Sequence, residues 1–566
     1  MSAAGNHPRE ERFEKLISIL IASITVLAAI SAFLQIYTDS KAGEADRQAQ
    51  ELSIRATETR VNGAIQFSYD WQGAFQVWRE IDLQITAAEQ EGDTAGAARL
   101  RSLRDQIAGL SLLLDPDYFD SETRWPNAPQ YEADLYLVES TRLGEAFTAQ
   151  AKLGNAWGGI ADAFVIQLTL YAVALSLYGL STTIQSEVRW LFVVVGSGMA
   201  VLNLVWMAIL LIAPLPELPL AAIDAYAQGV GMAYQGKNEK AIAFFDQALS
   251  ARPDYANALY ERANAYYATS NYERATADYV AAQKAGRDDV NVGWNLGWTY
   301  YLMGKFDEAV LANQHTLALD STVIGVRMNQ GLALLALGKF QNARIEYDLA
   351  LAEAARQVAE ARAGGKEPPS SLWFYMDAGA ADLESLLDLL NDNPKPWTQA
   401  PPPGTIRADV NQLWTIALEQ IQRIKETTVA LEYTGQPPAG PGPDVLAFQF
   451  GQDVYDAQGN FLRYDIAETF PYGTNKVLIL FEYAGIKMGQ QEIWKVRRNG
   501  FEDPSLRVVS EWAIDDLSGS SEAGSAVKQI SYAYSNVFIF SPGEYTVELY
   551  IDSQLVQSGT FFIEEP

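Results

Sequence analysis

Histidine occurs twice in this chain, at His7 and His315, and cysteine not at all. The absence of cysteine excludes disulfides, thiolate zinc sites, iron–sulfur clusters and cysteine nucleophiles. One histidine in the N-terminal tail and one far along the chain do not make a hydrolase triad or an imidazole metal site, each of which needs a second well-placed group. No phosphate-cradling glycine loop, nucleophile elbow or paired-carboxylate motif is present. The acidic residues are scattered, without the Asp-x-Asp-x-Asp-Gly spacing of a calcium loop, and Asp515-Asp516 reads as a solvated turn. No cofactor or metal is expected. The chain does not read as an enzyme, and only glycoside chemistry, which asks for two carboxylates at a set distance, stays open. What remains is chemistry of recognition: Tyr and Trp, which bury large area at low entropy cost, and Asn, which both donates and accepts hydrogen bonds.

Small and bulky residues recur at one spacing after residue 220. Gly229, Ala263, Gly297 and Gly331 are 34 residues apart, as are Ala241, Ala275, Ala309 and Ala343. Gly236, Ser270, Gly304 and Gly338 form a third column, and Met232, Tyr266, Tyr300 and Leu334 a fourth. Tyr272, Phe306 and Phe340 form a fifth, with Asn238 as its odd member. Small residues let two helices approach, a glycine near the fifteenth position ends the first of them, and the bulky columns fill the gap to the next pair.

This pattern resembles the tetratricopeptide repeat (TPR) family, whose period is 34. The resemblance covers residues 222–362, in four repeats starting near 222, 256, 290 and 324, and implies an α-solenoid. It further implies that the first helix of each repeat lines a concave groove holding a protein segment or extended peptide. The corresponding positions are Tyr226, Val230, Asn257, Tyr260, Asn264, Tyr267, Asn291, Trp294, Trp298, Tyr301 and Met328. None is Lys or Arg, so the carboxylate clamp of the family's chaperone-tail binders is not carried over. The competing reading is that these aromatics pack against the chain itself, for instance against a helix over 406–431. The last repeat helix is expected to run to about Arg362, before Gly364-Gly365. Helices over 371–391 and 406–431 would then cap the repeats.

Three apolar runs reach the roughly 20 residues that a bilayer requires. They are Leu16–Ile36, then Ala161–Leu180 with Asp162 at its edge, then Trp190–Ile212, closed by Pro214 and Pro216. Trp157, Tyr178 and Trp190 fall where an aromatic belt would lie. The first run is too long for a signal peptide's apolar core and reads as an uncleaved anchor. Arg9, Arg12 and Lys15 precede it, and Arg189 lies in the turn between the second and third runs. Together they place the N-terminal tail (1–15) and that turn inside and residues 38–156 and 214–566 outside. The expected location is the cytoplasmic membrane of a prokaryote. The chain carries 41 Lys and Arg against 70 Asp and Glu, a net charge of −29. That acidity, with no basic stripe, argues against a nucleic-acid partner.

Residues 38–156 show helical periodicity at Phe67, Trp71, Phe75 and Trp78 and again at Leu100, Leu103, Ile107 and Leu110. An antiparallel bundle follows, its outer helices continuous with the first two apolar runs. The layout is similar to the sensor domains of bacterial chemoreceptors, in topology only. Its aromatic stripe suits a bundle core, and a ligand pocket would use the same residues.

Two Pro- and Gly-rich stretches, Asn393–Gly404 and Gly435–Asp444, read as semi-rigid spacers. Beyond them, 445–566 turns to period-two patterning. Lys476–Phe481, Ser535–Phe540, Tyr545–Ile551 and Phe561–Ile563 are expected as strands of an antiparallel sandwich. The Pro-Gly-x-Tyr-x-Val turn at 542–547, the central Trp494 and the closing Phe-x-Ile strand resemble immunoglobulin-like modules at the ends of bacterial surface proteins. The fold class is therefore multidomain, mainly α and then all-β. The expected function is that of a membrane-anchored scaffold presenting the TPR groove to a protein partner. The rival is a receptor whose 38–156 bundle binds a small ligand. A homo-oligomer or a larger envelope complex is compatible with either.

Overall fold

The computed structural model describes residues 7–120, 124–184, 186–390, 400–432, 443–455, 461–487, 489–512, 523–531, 540–552 and 554–565. The helical N-terminal region carries TPR-like repeats and is followed by a β-rich C-terminal region. The chain divides into two compact units, Met1–Ala265 and Tyr266–Pro566.

In the first unit α1 (His7–Tyr69) passes through a π-helical stretch, Asp70–Phe75, into α2 (Gln76–Gln90). α3 (Thr94–Ala108) is capped by Asp93, whose carboxylate accepts from the Gly96 amide at 2.9 Å. A minimal hairpin, β1 (Phe119–Asp120) with β2 (Trp125–Pro126), leads to α4 (Ala128–Glu132) and a second π-helical stretch, Ala133–Leu137. α5 (Val138–Thr183) runs back along α1, and α6 (Arg189–Ile212) packs on α5. Three of these helices contain stretches long and apolar enough to cross a membrane. Ser31, Gln167 and Asn203 are buried between them, and the Asn203 Nδ2 donates to the Gln167 carbonyl at 3.0 Å. Phe75, Trp78 and Tyr131 form a separate core with Phe67, Trp71 and Trp125 packed around it. The aromatic stripe is thus occupied ring against ring, as in the 5.1 Å pair of Trp71 and Phe75.

The repeat helices follow as α7 (Leu220–Tyr234), α8 (Asn238–Ala251), α9 (Ala256–Ala268), α10 (Tyr272–Lys284), α11 (Val290–Leu302), α12 (Phe306–Leu319), α13 (Ile324–Ala336) and α14 (Phe340–Ala363). The small column works by contact inside each helix pair. A Cβ at Gly229 would meet the Phe245 ring at 2.4 Å, and one at Gly331 would meet the Tyr347 ring at 2.7 Å. Each first helix ends in the same double hydrogen bond, for example Gly304 N to the Tyr301 carbonyl and Lys305 N to the Tyr300 carbonyl, both 2.9 Å. This closure puts one residue at positive φ: Gly236 at 71°, Gly304 at 70°, Gly338 at 76°, and in the second repeat Ser270 at 58°. A Cβ in this region costs about 1 kcal/mol or more. Ser270→Gly is therefore expected to stabilise the protein by about 1 kcal/mol in chemical denaturation, and an unchanged midpoint would contradict this account of the turn.

α15 (Ser370–Leu389) and α16 (Val410–Glu432) pack on one another, and both touch α13. The expected spacers fall largely on residues 391–399 and 433–442, outside the described residues. The C-terminal strands are β3 (Asp444–Val445), β4 (Gln449–Tyr455), β5 (Phe461–Ile466), β6 (Thr469–Phe470), β7 (Lys476–Ala484), β8 (Gln491–Arg498), β9 (Phe501–Glu502), β10 (Val508–Glu511), β11 (Ala523–Ser531), β12 (Gly543–Ile551) and β13 (Gln554–Ile563). One sheet runs β11-β7-β4-β5, with β3 also on β7, and the other runs β10-β8-β12-β13-β6, with β9 also on β8. Of the expected strand 535–540, only Phe540 lies among the described residues. Val477, Ile479 and Phe481 of the first sheet share one core with Trp494, Val496, Val547 and Phe561 of the second.

The β-rich region does not stand off from the helices of its own unit. Val429 of α16 packs with Ile493 and Tyr550, and a buried ion network spans the junction. Arg497 reaches Asp377 of α15 at 2.8 Å and Glu548 at 3.2 Å, while Lys425 of α16 bridges Glu384 at 3.0 Å and Glu548 at 3.3 Å. Lys495 lies 3.0 Å from Glu432 of α16, which Arg507 also meets at 2.9 Å. Burying charges is tolerable only when they are paired and hydrogen-bonded, and here each cation meets a carboxylate. Glu502, 3.6 Å from Lys495, completes the set. Its carboxyl is pushed up to about 8 by burial and by a hydrogen bond to Asp377, so it retains a proton at neutral pH. That proton brings five carboxyls into balance with four cations.

Candidate binding cleft

In the second unit, α11, α13 and α15 enclose a cleft of about 200 Å³. α11 contributes Trp294 and Trp298, one helical turn apart. Trp298 stacks on Tyr301 at 5.2 Å and donates its Nε1 hydrogen to the Tyr267 hydroxyl at 2.9 Å. Trp294 packs on Tyr375 of α15 at 5.0 Å. The two approaches depend on glycine. A Cβ at Gly325 would stand 2.5 Å from the Trp294 ring, and one at Gly379 would stand 2.0 Å from the Met328 sulfur. α15 therefore lies directly over Met328 of α13. At the mouth Phe374 is 58% exposed, a large apolar ring with most of its surface uncovered.

One charged side chain lines this space. Asp382 has no hydrogen-bond or ion-pair partner among the described residues, and burial pushes its carboxyl up to about 7. Three phenols feel its charge: Tyr267, Tyr301 and Tyr347, each held above its usual range first by burial. Asp382 and Glu502 together set a pH response. In both, the folded state holds a proton that the unfolded chain would release near pH 4, so acidification from pH 8.5 to 6 should favour folding. Below about pH 4 the sign reverses, because Asp377 and Glu548 are held low by Arg497 and must then take up protons. The melting temperature of the second unit's transition should rise between pH 8.5 and 6, and a fall over that window would refute the assignment.

The other expected groove positions have different fates. Tyr226 is buried, packed on Phe245 and Tyr255. Tyr301 and Met328 are buried as well, the first between Trp298 and Phe306 and the second under Gly379. Tyr226 and Tyr301 belong to packing, whereas Met328 lines the cleft from beneath, its sulfur seated against Gly379. In the first unit Glu145 of α5 takes the Asn257 amide at 2.8 Å and the Tyr255 hydroxyl at 2.7 Å, so the chain's own helix occupies that part of the groove. Asn264 donates to Glu261 at 3.0 Å. Tyr260, Tyr267 and Val230 are part-buried, and Asn291 is exposed. The sequence reading missed Asp382, Phe374 and Tyr375. Their signal is a helical face on α15, with Tyr375, Ala378, Gly379 and Asp382 at steps of three and four and one carboxylate among small and aromatic residues. His315 lies away from the cleft, its Nε2 2.9 Å from Asp288 in an exposed pair. Among the described residues no group of three His, Asp or Glu is placed to hold a metal ion.

Fold and repeats together give a helical region with TPR-like repeats followed by a β-rich C-terminal region. Residues 233–270 match the sequence profile of the TPR repeat. Among solved structures, YrrB, titled a TPR protein with an unusual peptide-binding site, is 15% identical over 37% of this chain and 86% of its own, with a TM-score of 0.25. MamA 41-end from Desulfovibrio magneticus RS-1 is 18% identical over 32% of this chain and 96% of its own, with a TM-score of 0.23. No functional conclusion rests on similarities of that size. Among curated proteins no match was found.

Proposed function

We propose that this chain is a membrane-anchored interaction scaffold of a prokaryotic cell envelope, holding a protein segment at the cleft of α11, α13 and α15. The cleft carries the binding part of this reading. It is aromatic and lined in part by the largely uncovered Phe374, which is the makeup of an interface anchor site. Anchoring is supported by the three apolar helices and by the rings at their ends. Phe13 meets Trp190 at 5.2 Å, and Tyr37 meets Trp157 at 6.3 Å. Along α1 these pairs are about 36 Å apart at 1.5 Å per residue, which spans the hydrocarbon layer and reaches the interface on each side. Residues after 214 are read as extracytoplasmic from the positions of Arg9, Arg12, Lys15 and Arg189.

We read the C-terminal region as an immunoglobulin-like sandwich. Three observations support this: the parallel pairing of β6 with β13, the buried Trp494 at its centre, and Tyr545 near the start of β12, whose hydroxyl donates to the Ser541 carbonyl at 2.9 Å. Two experiments test the scaffold. In intact spheroplasts, added protease should cleave residues 214–566, and complete protection would overturn the orientation. A photoreactive residue at Asn291 should crosslink to one distinct protein, and Phe374→Ala should remove that crosslink. A crosslink indifferent to Phe374→Ala would overturn the cleft as the binding site.

A further inference from the structure

We propose that the cleft selects a lysine of its partner, seating the alkylammonium against the aromatic lining of Trp294, Trp298 and Tyr375 with Asp382 as counter-charge. This inference rests on the scaffold reading and names the chemistry that its site would select. Aromatic faces carry a negative quadrupole and attract cations within about 6 Å of the ring centroid. The cleft supplies such faces from two elements, and it adds a carboxylate that nothing in the described residues neutralises. A part-buried unpaired carboxylate is costly, and an incoming cation relieves that cost. The size discriminates further. About 200 Å³ admits a slender methylene stem and a compact head, with Met328 and Ala378 as apolar lining for the stem. An ammonium offers three donors, which Asp382 and the amide oxygen of Asn329 in the same lining can take up. A guanidinium is instead a broad, planar fork suited to a flat bidentate site, where the ammonium is a compact point charge. The net charge of −29 steers basic segments toward the chain in general.

The test is titration calorimetry on the full chain in detergent, using three probes. They are N-acetyl-Gly-Lys-Gly-amide, the same peptide with norleucine in place of lysine, and choline. The lysine peptide should bind at least tenfold more tightly than its neutral counterpart and more tightly than choline. Asp382→Asn should weaken the lysine peptide at least fivefold and leave the norleucine peptide unchanged. A second measurement needs no variant. Affinity for the lysine peptide should rise several-fold from pH 6 to 8, as the Asp382 carboxyl ionises among phenols that stay neutral in that range. Equal binding of lysine and norleucine peptides, or the same affinity at both pH values, would overturn the proposal. So would tighter binding of choline, which would assign the site to a free quaternary amine. The Phe374-dependent crosslink from Asn291 is read separately, so lysine selectivity can fail while the scaffold stands, and the reverse.

Discussion

Arg497→Met should destabilise the second unit by about 3–5 kcal/mol, the usual cost of removing one partner from a buried ion pair. The reason is what the substitution leaves behind. Asp377 and Glu548 are 5% and 2% exposed, and both turn to Arg497. Methionine matches the length of the arginine stem, so little packing changes, but Asp377 loses its counter-charge and Glu548 one of its two, in a place water does not reach. Glu548 keeps Lys425 at 3.3 Å and the Tyr550 hydroxyl at 2.8 Å, which makes Asp377 the worse stranded of the pair. Adding Asp377→Leu to Arg497→Met should therefore recover part of the loss. Urea denaturation monitored by tryptophan fluorescence would measure both. A single-variant cost under about 1 kcal/mol, or no recovery in the double variant, would show that the network is solvated and weak.

Gly331→Leu is expected to be the next most damaging change, costing about 3 kcal/mol, the upper end of ordinary overpacking in a core. Gly331 sits on a helix whose inner residues are all buried, and the ring its Cβ would meet belongs to Tyr347, only 1% exposed. Neither α13 nor α14 can retreat freely, because α13 also holds α15 on its other side. The variant should lose the compact packing of α13 on α14 while retaining helical content. Near-ultraviolet circular dichroism would then change more than far-ultraviolet. Wild-type stability in this variant would mean that the 34-residue column of small side chains is not set by helix approach.

That column was readable from sequence because its cause is local. Each small residue meets a partner about sixteen positions later in its own helix pair, so the constraint repeats with the chain. A companion column was equally readable and was passed over: Phe245, Tyr279, Asn313 and Tyr347 are also spaced by 34. Asn313 is its exception, a buried amide whose Oδ1 lies 2.1 Å from the place a Cβ on Gly297 would take. The period-two pattern of the C-terminal region was legible for the same reason, since alternation along a strand reports on the strand alone. What stayed hidden depends on residues with no periodic relation. Glu145 and Tyr255 are 110 positions apart, and Asp377 and Arg497 are 120 apart. Charged residues in a run of sequence read as solvated by default. Only the arrival of a distant partner tells a buried Asp377 or Lys495 from a surface one. The groove positions suffered likewise: a Tyr or Trp at the correct repeat position can face a partner or the chain's own α5 or α15, and both uses look alike in sequence.

α15 lies between two dissimilar neighbours. One of its faces, at Tyr375, Gly379 and Asp382, forms a wall of the cleft, while Asp377 is tied to Arg497 of the β-rich region and Glu384 to Lys425 of α16. The two halves of the second unit are consequently not interchangeable cassettes. Truncation after residue 432 would expose Asp377, Glu384, Lys425 and Glu432 as a bare ionic scar beside the cleft. A lineage that swapped this C-terminal region for another would have to rebuild α15 and α16 along with it, so cleft and sandwich should be inherited as one indivisible block.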